Sequence, residues 1–136
     1  MKFISKMFFA LILAIVCFSS VFAQSKGRVG RETIFALTTT NRLVSFNSST
    51  PGTIINTVSI TGLQAGESLV GIDFRPATRT LFSVSNMGRI YTINTSTGLA
   101  TQVGMQPVGL TGTNFGLDFN PSPDRIRLVS NTGQDL

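Results

Sequence analysis

Two aspartates at equivalent positions of an internal repeat, Asp73 and Asp118, are the side chains best suited to chemistry in this sequence. They lie in "GIDF" (71–74) and "GLDF" (116–119). If these segments are the innermost strands of repeated sheets, the two carboxylates line a central channel, where they could bind Ca²⁺ or a cationic ligand. Alternatively, each carboxylate accepts hydrogen bonds from the backbone of the following Arg-Pro or Asn-Pro turn. The structural role is the simpler explanation of an aspartate repeated at equivalent positions, and Asp73 and Asp118 are candidate metal ligands as the alternative.

Two arginines on a later segment are candidate ligand-binding residues. Arg125 and Arg127 alternate along "RIRLVS" (125–130), so on a strand their side chains share one face. Together with Asp124 they could contact an anionic ligand. A solvated face, or a bridge to the next blade, is the simpler explanation of the same residues, because surface ion pairs are common and weak.

The absent residue types exclude several classes of enzyme within this segment. The sequence has no histidine, which removes Ser-His-Asp catalysis and histidine metal sites. Its single cysteine, Cys17, lies near the N-terminus, so the rest of the chain has no thiol nucleophile and no zinc cluster. No glycine-rich phosphate loop is present. We assign no catalytic residue and expect no cofactor, with Ca²⁺ as the alternative.

The N-terminus has the pattern of a secretory signal peptide. A basic start, "MKFISK", precedes the apolar run "MFFALILAIVCF", and small residues follow at Val21 and Ala23. We expect a signal peptide over 1–23, cleaved after Ala23, and a flexible segment over 24–31. An uncleaved anchor is the alternative, but the run is shorter than the roughly 20 residues of a membrane span. The mature protein is expected to be secreted, periplasmic or on the cell surface, and not in a membrane.

The charge distribution argues against nucleic acid as a partner. The formal net charge is +5, but part of it belongs to the predicted signal peptide. The remaining basic residues are scattered and form no stripe with interleaved aromatics. We expect the partner to be a protein, a glycan or a small molecule.

The rest of the chain predicts nine short strands and no helix. It is rich in Thr, Ser, Asn and Gly between aliphatic and aromatic residues, a composition typical of strands joined by tight turns. The predicted strands are 33–38, 42–47, 53–60, 69–74, 80–85, 89–94, 99–104, 114–119 and 125–130.

The segment "VGIDFRPATRTLFSVSNMGRIY" is repeated 45 residues later as "FGLDFNPSPDRIRLVSNTGQDL". Nine positions correspond without a gap: eight are identical, among them Gly71 with Gly116 and Gly88 with Gly133, and the ninth pairs Leu81 with Ile126. A further copy overlays "TIFALTTTNRLVSFNSST" on "TLFSVSNMGRIYTINTST" at an offset of 47.

A period near 45 residues that holds four short strands is typical of a β-propeller blade. The predicted fold is therefore all-β, with β-propeller-like blades of four antiparallel strands. The domain would span 32–136 and be incomplete, with about two and a half blades. A β-sandwich or barrel would also give many short strands, but the gapless repeat favours the propeller. We expect Leu136 to be a truncation point. The alternative is a short chain that assembles with other copies, because isolated repeats cannot bury their faces.

The segments "GIDFRP", "LFSVSNMGRIYTINTSTGLATQVG" and "FGLDFNPSPDRIRLVSNTGQDL" carry a family resemblance. They resemble the secreted bacterial domain-of-unknown-function family 4394, over essentially 32–136. The resemblance implies an exported, propeller-like protein whose relatives continue past this point with similar repeats. It implies no activity, and so no catalytic residue is carried over.

Two functions remain open at this point. The first is an exported, non-catalytic propeller-type module that binds a ligand or acts as a scaffold through its loops. The second is a propeller-type hydrolase, lactonase-like, that uses a metal in the channel of the full-length protein.

Overall fold

The structure, a computed structural model, describes residues 31–136. The predicted signal peptide and all but the last residue of the predicted flexible segment lie outside the described residues. In the described part, every regular element is a β-strand. No helix within residues 31–136 is long and apolar enough to cross a membrane.

Nine strands form three antiparallel sheets, each from strands consecutive in sequence. The first sheet contains β1 (Thr33–Leu37), β2 (Arg42–Asn47) and β3 (Thr50–Ser59). The second sheet contains β4 (Leu69–Arg75), β5 (Thr80–Ser85), β6 (Ile90–Ile93) and β7 (Ala100–Val103). The third sheet contains β8 (Phe115–Asn120) and β9 (Arg125–Ser130). All nine predicted strands are present, and the all-β, antiparallel prediction is confirmed.

β3 differs most from its predicted bounds, since it begins at Thr50 and includes Pro51 and Gly52. Thr50 pairs with Asn47 across a two-residue turn, and the register then shifts twice along β2. β3 is an edge strand. Proline is tolerated on an edge because its missing N–H need not meet a neighbouring strand.

The main core lies between the first and second sheets. Its buried members are Leu43 from the first sheet and Leu69, Leu81, Tyr91, Ile93 and Ala100 from the second. Phe35, Leu37 and Val58 of the first sheet pack against them. The core contains Leu43 because side chains alternate along β2: Leu43 and Ser45 are buried, whereas Arg42 is exposed and Val44 and Phe46 are only partly buried.

The repeat seen in the sequence is a repeat of backbone geometry. The β4–β5 and β8–β9 turns each contain a residue with positive φ just before the second strand: Arg79 at 55° and Asp124 at 61°. These two residues are 45 positions apart. The turns after β5 and β9 also match: Ser85 Oγ accepts the amides of Met87 and Arg89, while Ser130 Oγ accepts those of Thr132 and Gln134.

Gly88 and Gly133 have the same backbone geometry, but neighbouring atoms surround them to different degrees. Both occupy the same place in these turns with φ of 77° and 84°. A Cβ on Gly88 would lie 1.9 Å from the carbonyl oxygen of Val108, whereas a Cβ on Gly133 would meet nothing within 4 Å. The difference arises because the chain entering the third sheet crosses Gly88, and Val108 donates its amide to the Gly88 carbonyl.

We predict that Gly88→Ala destabilises the protein far more than Gly133→Ala. Gly133→Ala adds only the strain of a left-handed backbone, about 1–2 kcal/mol. Gly88→Ala adds a clash with backbone, for a total of about 3 kcal/mol or more. Urea unfolding of both variants measures the difference. Equal losses would mean that residues 104–114 do not cross this turn.

Candidate functional site

Asp73 lies at the contact between the second and third sheets. One carboxylate oxygen accepts the amide of Phe74 at 2.8 Å. The other accepts the amide of Phe119, on β8, at 2.7 Å. This second bond was not predicted from the sequence, which suggested either a metal or the local turn. The carboxylate thus joins the second and third sheets through two residues, Asp73 and Phe119, that are 46 positions apart in sequence.

Phe119 offers its amide because β8 is paired on one side only. On β9, Leu128 and Ser130 bond residues 134–136 and so direct their backbone groups away from β8. Phe119 is paired with Ile126. Ile126 lies two residues before Leu128 and therefore also directs its backbone N–H and C=O away from β8. The amide of its partner Phe119 then points away from β9, to the free edge of β8. An unpaired amide on a partly covered edge is costly, and the carboxylate of Asp73 satisfies it.

Glycine at position 71 permits the close approach of β4 and β8. A Cβ on Gly71 would lie 2.9 Å from Cβ of Leu117, closer than real side chains come. The Gly71 carbonyl accepts a 2.6 Å hydrogen bond from Ser83 Oγ, which fixes the strand from its other side. Gly71 therefore belongs to the sheet contact and not to a turn.

Equivalent phenylalanines form the same contact at both sheet boundaries. Phe35 and Phe74 meet edge to face with ring centroids 5.5 Å apart. Phe82 and Phe119 meet in the same way at 5.1 Å. Phe82 is the repeat equivalent of Phe35, and Phe119 is that of Phe74. At both boundaries, therefore, the second strand of one repeat contacts the first strand of the next repeat.

Asp118 occupies the position of Asp73 on the outer face of the third sheet. It is paired in register with Arg127, and both border an open groove with Gly116 and Val129. Asp73 faces a packed strand and Asp118 faces this groove. In the described residues, no three acidic, histidine or cysteine side chains lie together as a metal site would require.

Arg125 and Arg127 border two different grooves. Arg127 forms an ion pair with Asp135, with a shortest distance of 2.6 Å. Arg125 borders a groove between the second and third sheets. Next to it, Arg75 forms a two-point ion pair with Asp124, whose pKa is lowered by hydrogen bonds from this guanidinium. The ion pair fastens the β8–β9 turn to the end of β4.

The most buried charged group in residues 31–136, Glu67, was not predicted from the sequence. Its side chain is 1% exposed. It accepts a hydrogen bond from Tyr91 Oη at 2.5 Å and an ion-paired hydrogen bond from Arg89. Arg89, just before β6, and Tyr91, on β6, are two residues apart and so lie on the same side of the chain, the one signal in the sequence that could have suggested a common partner. Glu67 fastens the 60–68 connection onto the second sheet.

The protonation of Glu67 follows from these contacts. Burial of the carboxyl raises its pKa, but hydrogen bonds from Tyr91, Arg89 and Ser85, together with the charge of Arg89, outweigh burial. The net effect holds the pKa of Glu67 below its ordinary value of 4.5. Burial, and then the hydrogen bond to Glu67, raises the pKa of Tyr91, so the phenol remains a donor at neutral pH.

We predict that Asp73→Asn is destabilising and Asp118→Asn is nearly neutral. Asparagine keeps a single acceptor oxygen and loses the charge, so one of the two amides loses its partner, at about 1–2 kcal/mol. Asp118 supports no second strand in this structure, and its change should cost less than about 0.5 kcal/mol. Chemical denaturation at pH 7 measures both. Equal costs would contradict the sheet-joining role of Asp73.

We predict that Glu67 contributes stability above its unfolded pKa and loses it in acid. Since its pKa is lower in the folded than in the unfolded state, the unfolded state binds more protons as the pH falls. The contribution is complete above about 4.5 and disappears as the pH falls through the lower folded value. The melting temperature of Glu67→Gln, compared with the unaltered protein, should therefore differ most near pH 7 and converge in acid. A pH-independent difference would contradict the assignment.

Comparison with known proteins gives one match. A family model described as a domain of unknown function, DUF4394, matches residues 42–136. No curated protein and no solved structure matches the chain. The matched region takes in eight of the nine strands in the described part of the chain, β2 to β9, and the whole contact between the second and third sheets. The chain belongs to the DUF4394 family.

Proposed function

We propose that this chain is part of an exported, non-catalytic β-propeller that binds a ligand or serves as a scaffold. The family assignment carries no activity with it, so the argument depends on the geometry. Three features support it. Successive sheets contact one another in the same way, the carboxylate of Asp73 accepts two backbone amides, and the turns and connections at one end of the sheets form a continuous surface.

The repeated phenylalanine contact is the observation that carries the propeller proposal. In a propeller, the same face of each blade meets the opposite face of the next, so every contact recurs at the repeat spacing. The Phe35–Phe74 and Phe82–Phe119 pairs recur in this way. In a sandwich of two sheets there is one interface and no reason for such recurrence.

The environment of Asp73 supports a non-catalytic role. A carboxylate that accepts two backbone amides has each of its oxygens already engaged. Ca²⁺ would have to compete with both amides for these oxygens. Asp118 keeps the same position in the repeat, which is explained if it accepts an amide from a following strand.

The ligand surface we propose is the loop band, defined as the turns and connections 38–41, 60–68, 86–89, 104–114 and 131–134. Hydrogen bonds join neighbouring members of the band: Asn41 to Glu67, Ser68 to Asn86, Val108 to Gly88, and Gln134 to Gly109. Two methionines of the band are strongly exposed, Met87 at 56% and Met105 at 88%. Flexible, exposed methionine side chains adapt to partner surfaces.

Export is tested by the mass of the protein recovered from a bacterial host. We predict a product outside the cytoplasm that begins at Gln24, because the small residues Val21 and Ala23 precede that bond. Ala23→Arg should block processing and leave the uncleaved form. A full-length, cytoplasmic product from the unaltered sequence would contradict export.

A calcium titration of the same secreted protein separates the proposed module from the hydrolase. Under our proposal, calorimetry detects no Ca²⁺ binding that depends on Asp73. Stoichiometric binding that is lost in Asp73→Ala and retained in Asp124→Ala would support the metal-using enzyme and overturn the proposal.

A further inference from the structure

The connection between β3 and β4 contains a short irregular segment, residues 62–67, which we call the strap. It includes two glycines in the left-handed region, Gly62 with φ of 81° and Gly66 with φ of 79°. In the described part of the chain, no backbone–backbone hydrogen bond joins the strap to another segment. Thr61 and Ser68, which flank it, both form backbone hydrogen bonds with the second sheet or its turns. The strap is therefore a separate unit between two fixed points.

Side chains hold the strap in place. Gln64 donates its amide to Tyr91 Oη at 3.3 Å, and Asn41 donates its side-chain amide to the Glu67 carbonyl at 3.3 Å. The carboxylate of Glu67 accepts a hydrogen bond from Tyr91 Oη at 2.5 Å and forms an ion pair with Arg89. Hydrogen bonds to an ionised group are roughly twice as strong as those between neutral groups. The ionised carboxylate of Glu67 is therefore the strongest of these attachments.

The strap contributes little to the apolar core. Leu63 is its one member that packs against the core cluster, and all the buried members of that cluster lie outside the strap. Gln64, Ala65 and Gly66 are exposed. Segments with few buried apolar contacts open at a lower free energy than the strands of the core. The strap can thus detach while the three sheets remain folded.

From these contacts we propose that the strap is released in acid, when Glu67 is protonated, while the sheets remain folded. Protonation removes both charge-assisted hydrogen bonds of the carboxylate, and the side chain of Arg89, which is 31% exposed, keeps its charge in contact with water. Release uncovers the ring of Tyr91, which is fully buried under the strap. Because the strap belongs to the loop band, an apolar surface is then added to the proposed ligand surface. This consequence for binding rests on the proposed function, whereas the release itself does not.

The groups that face the Glu67 carboxylate leave it as the one that titrates in acid. Arg89 and Tyr91 face it from the third strand of the second sheet, and Ser85 faces it from the end of β5. From the first sheet, Asn41 contacts the backbone of Glu67. Arginine stays charged in proteins, the pKa of Tyr91 is raised by burial and by Glu67, and serine and asparagine side chains do not titrate.

The direction of the pH dependence follows from the lowered pKa of Glu67. Its value in the closed form is below the ordinary 4.5, because the hydrogen bonds of the carboxylate outweigh burial. In the open form the carboxyl is in water and its pKa returns towards the ordinary value. The open form then binds more protons, so the opening constant rises by about tenfold per pH unit below the open-form pKa and becomes constant below the closed-form pKa.

The test uses the one tyrosine of the chain. The sequence has no tryptophan, so near-UV absorption and tyrosine fluorescence of the secreted protein report on Tyr91 alone. On titration from neutral pH into acid, we expect the Tyr91 signal to become that of a solvated phenol below pH 4.5, while the far-UV circular dichroism of the sheets is unchanged. Glu67→Gln should have the solvated signal already at neutral pH. Asp135→Asn is the matched control and should keep the transition, because Asp135 is also ion-paired to an arginine but lies beside β9.

Three results would overturn the inference: a Tyr91 signal that does not change in acid, a change that coincides with loss of the β-sheet signal, or a transition that persists in Glu67→Gln. Should that variant fail to fold, hydrogen exchange in the unaltered protein decides. The opening constant of the Gln64 and Glu67 amides should rise about tenfold per pH unit in acid, while that of the Ile93 amide in β6 does not. Parallel behaviour of the three amides would reject release of the strap. No ligand enters these measurements, so their failure would leave the proposed binding module standing.

Discussion

The hydrogen bond from the amide of Phe119 to the carboxylate of Asp73 is the interaction on which the arrangement of the second and third sheets depends. It satisfies an edge amide that β9 leaves unpaired, and it brings β8 against β4. Gly71 permits the approach, and the Arg75–Asp124 ion pair holds the turn beyond it. Because side-chain oxygen replaces a neighbouring strand, the two sheets can stack instead of merging into one.

Side-chain hydrogen bonds to a carboxylate also hold the connection before β4, where Glu67 is the acceptor. A connection between sheets has backbone groups and a charge to satisfy, and Glu67 finds Tyr91 and Arg89 on the face of β6 beneath it. Removing one partner of such a buried group is costly, because the other is left without compensation. The route of the connection into β4 is therefore fixed by a polar cluster beside the apolar core.

Much of the fold could be predicted from local pattern. Alternation and turn residues located all nine strands, and the 45-residue offset located the repeat. The structure adds that equivalent turns of the repeat, such as those containing Arg79 and Asp124, share a backbone geometry. The early start of β3 was missed because Pro51 and Gly52 are read as turn residues. Their place on an edge strand, which makes them tolerable, is visible only in the sheet order.

The site was less predictable, because its contacts join residues far apart in sequence. Spacing singled out Asp73 and Asp118 as equivalent, yet one now binds an amide of the next strand and the other faces a groove. Equivalence in a repeat predicts geometry within the repeat and not what lies beside it. Glu67 was not predicted because it lies in a connection that is not part of the sequence repeat, and because its partners are more than 20 residues away in sequence.

The most direct test of the central claim is an NMR measurement of the scalar coupling across the Asp73–Phe119 hydrogen bond. With the protein labelled in ¹⁵N and ¹³C, magnetisation should pass from the amide nitrogen of Phe119 to the carboxylate carbon of Asp73. The account predicts this cross-peak, together with slow exchange of the Phe119 amide with solvent. A freely exchanging Phe119 amide without the cross-peak would contradict the stacking of the second and third sheets through Asp73.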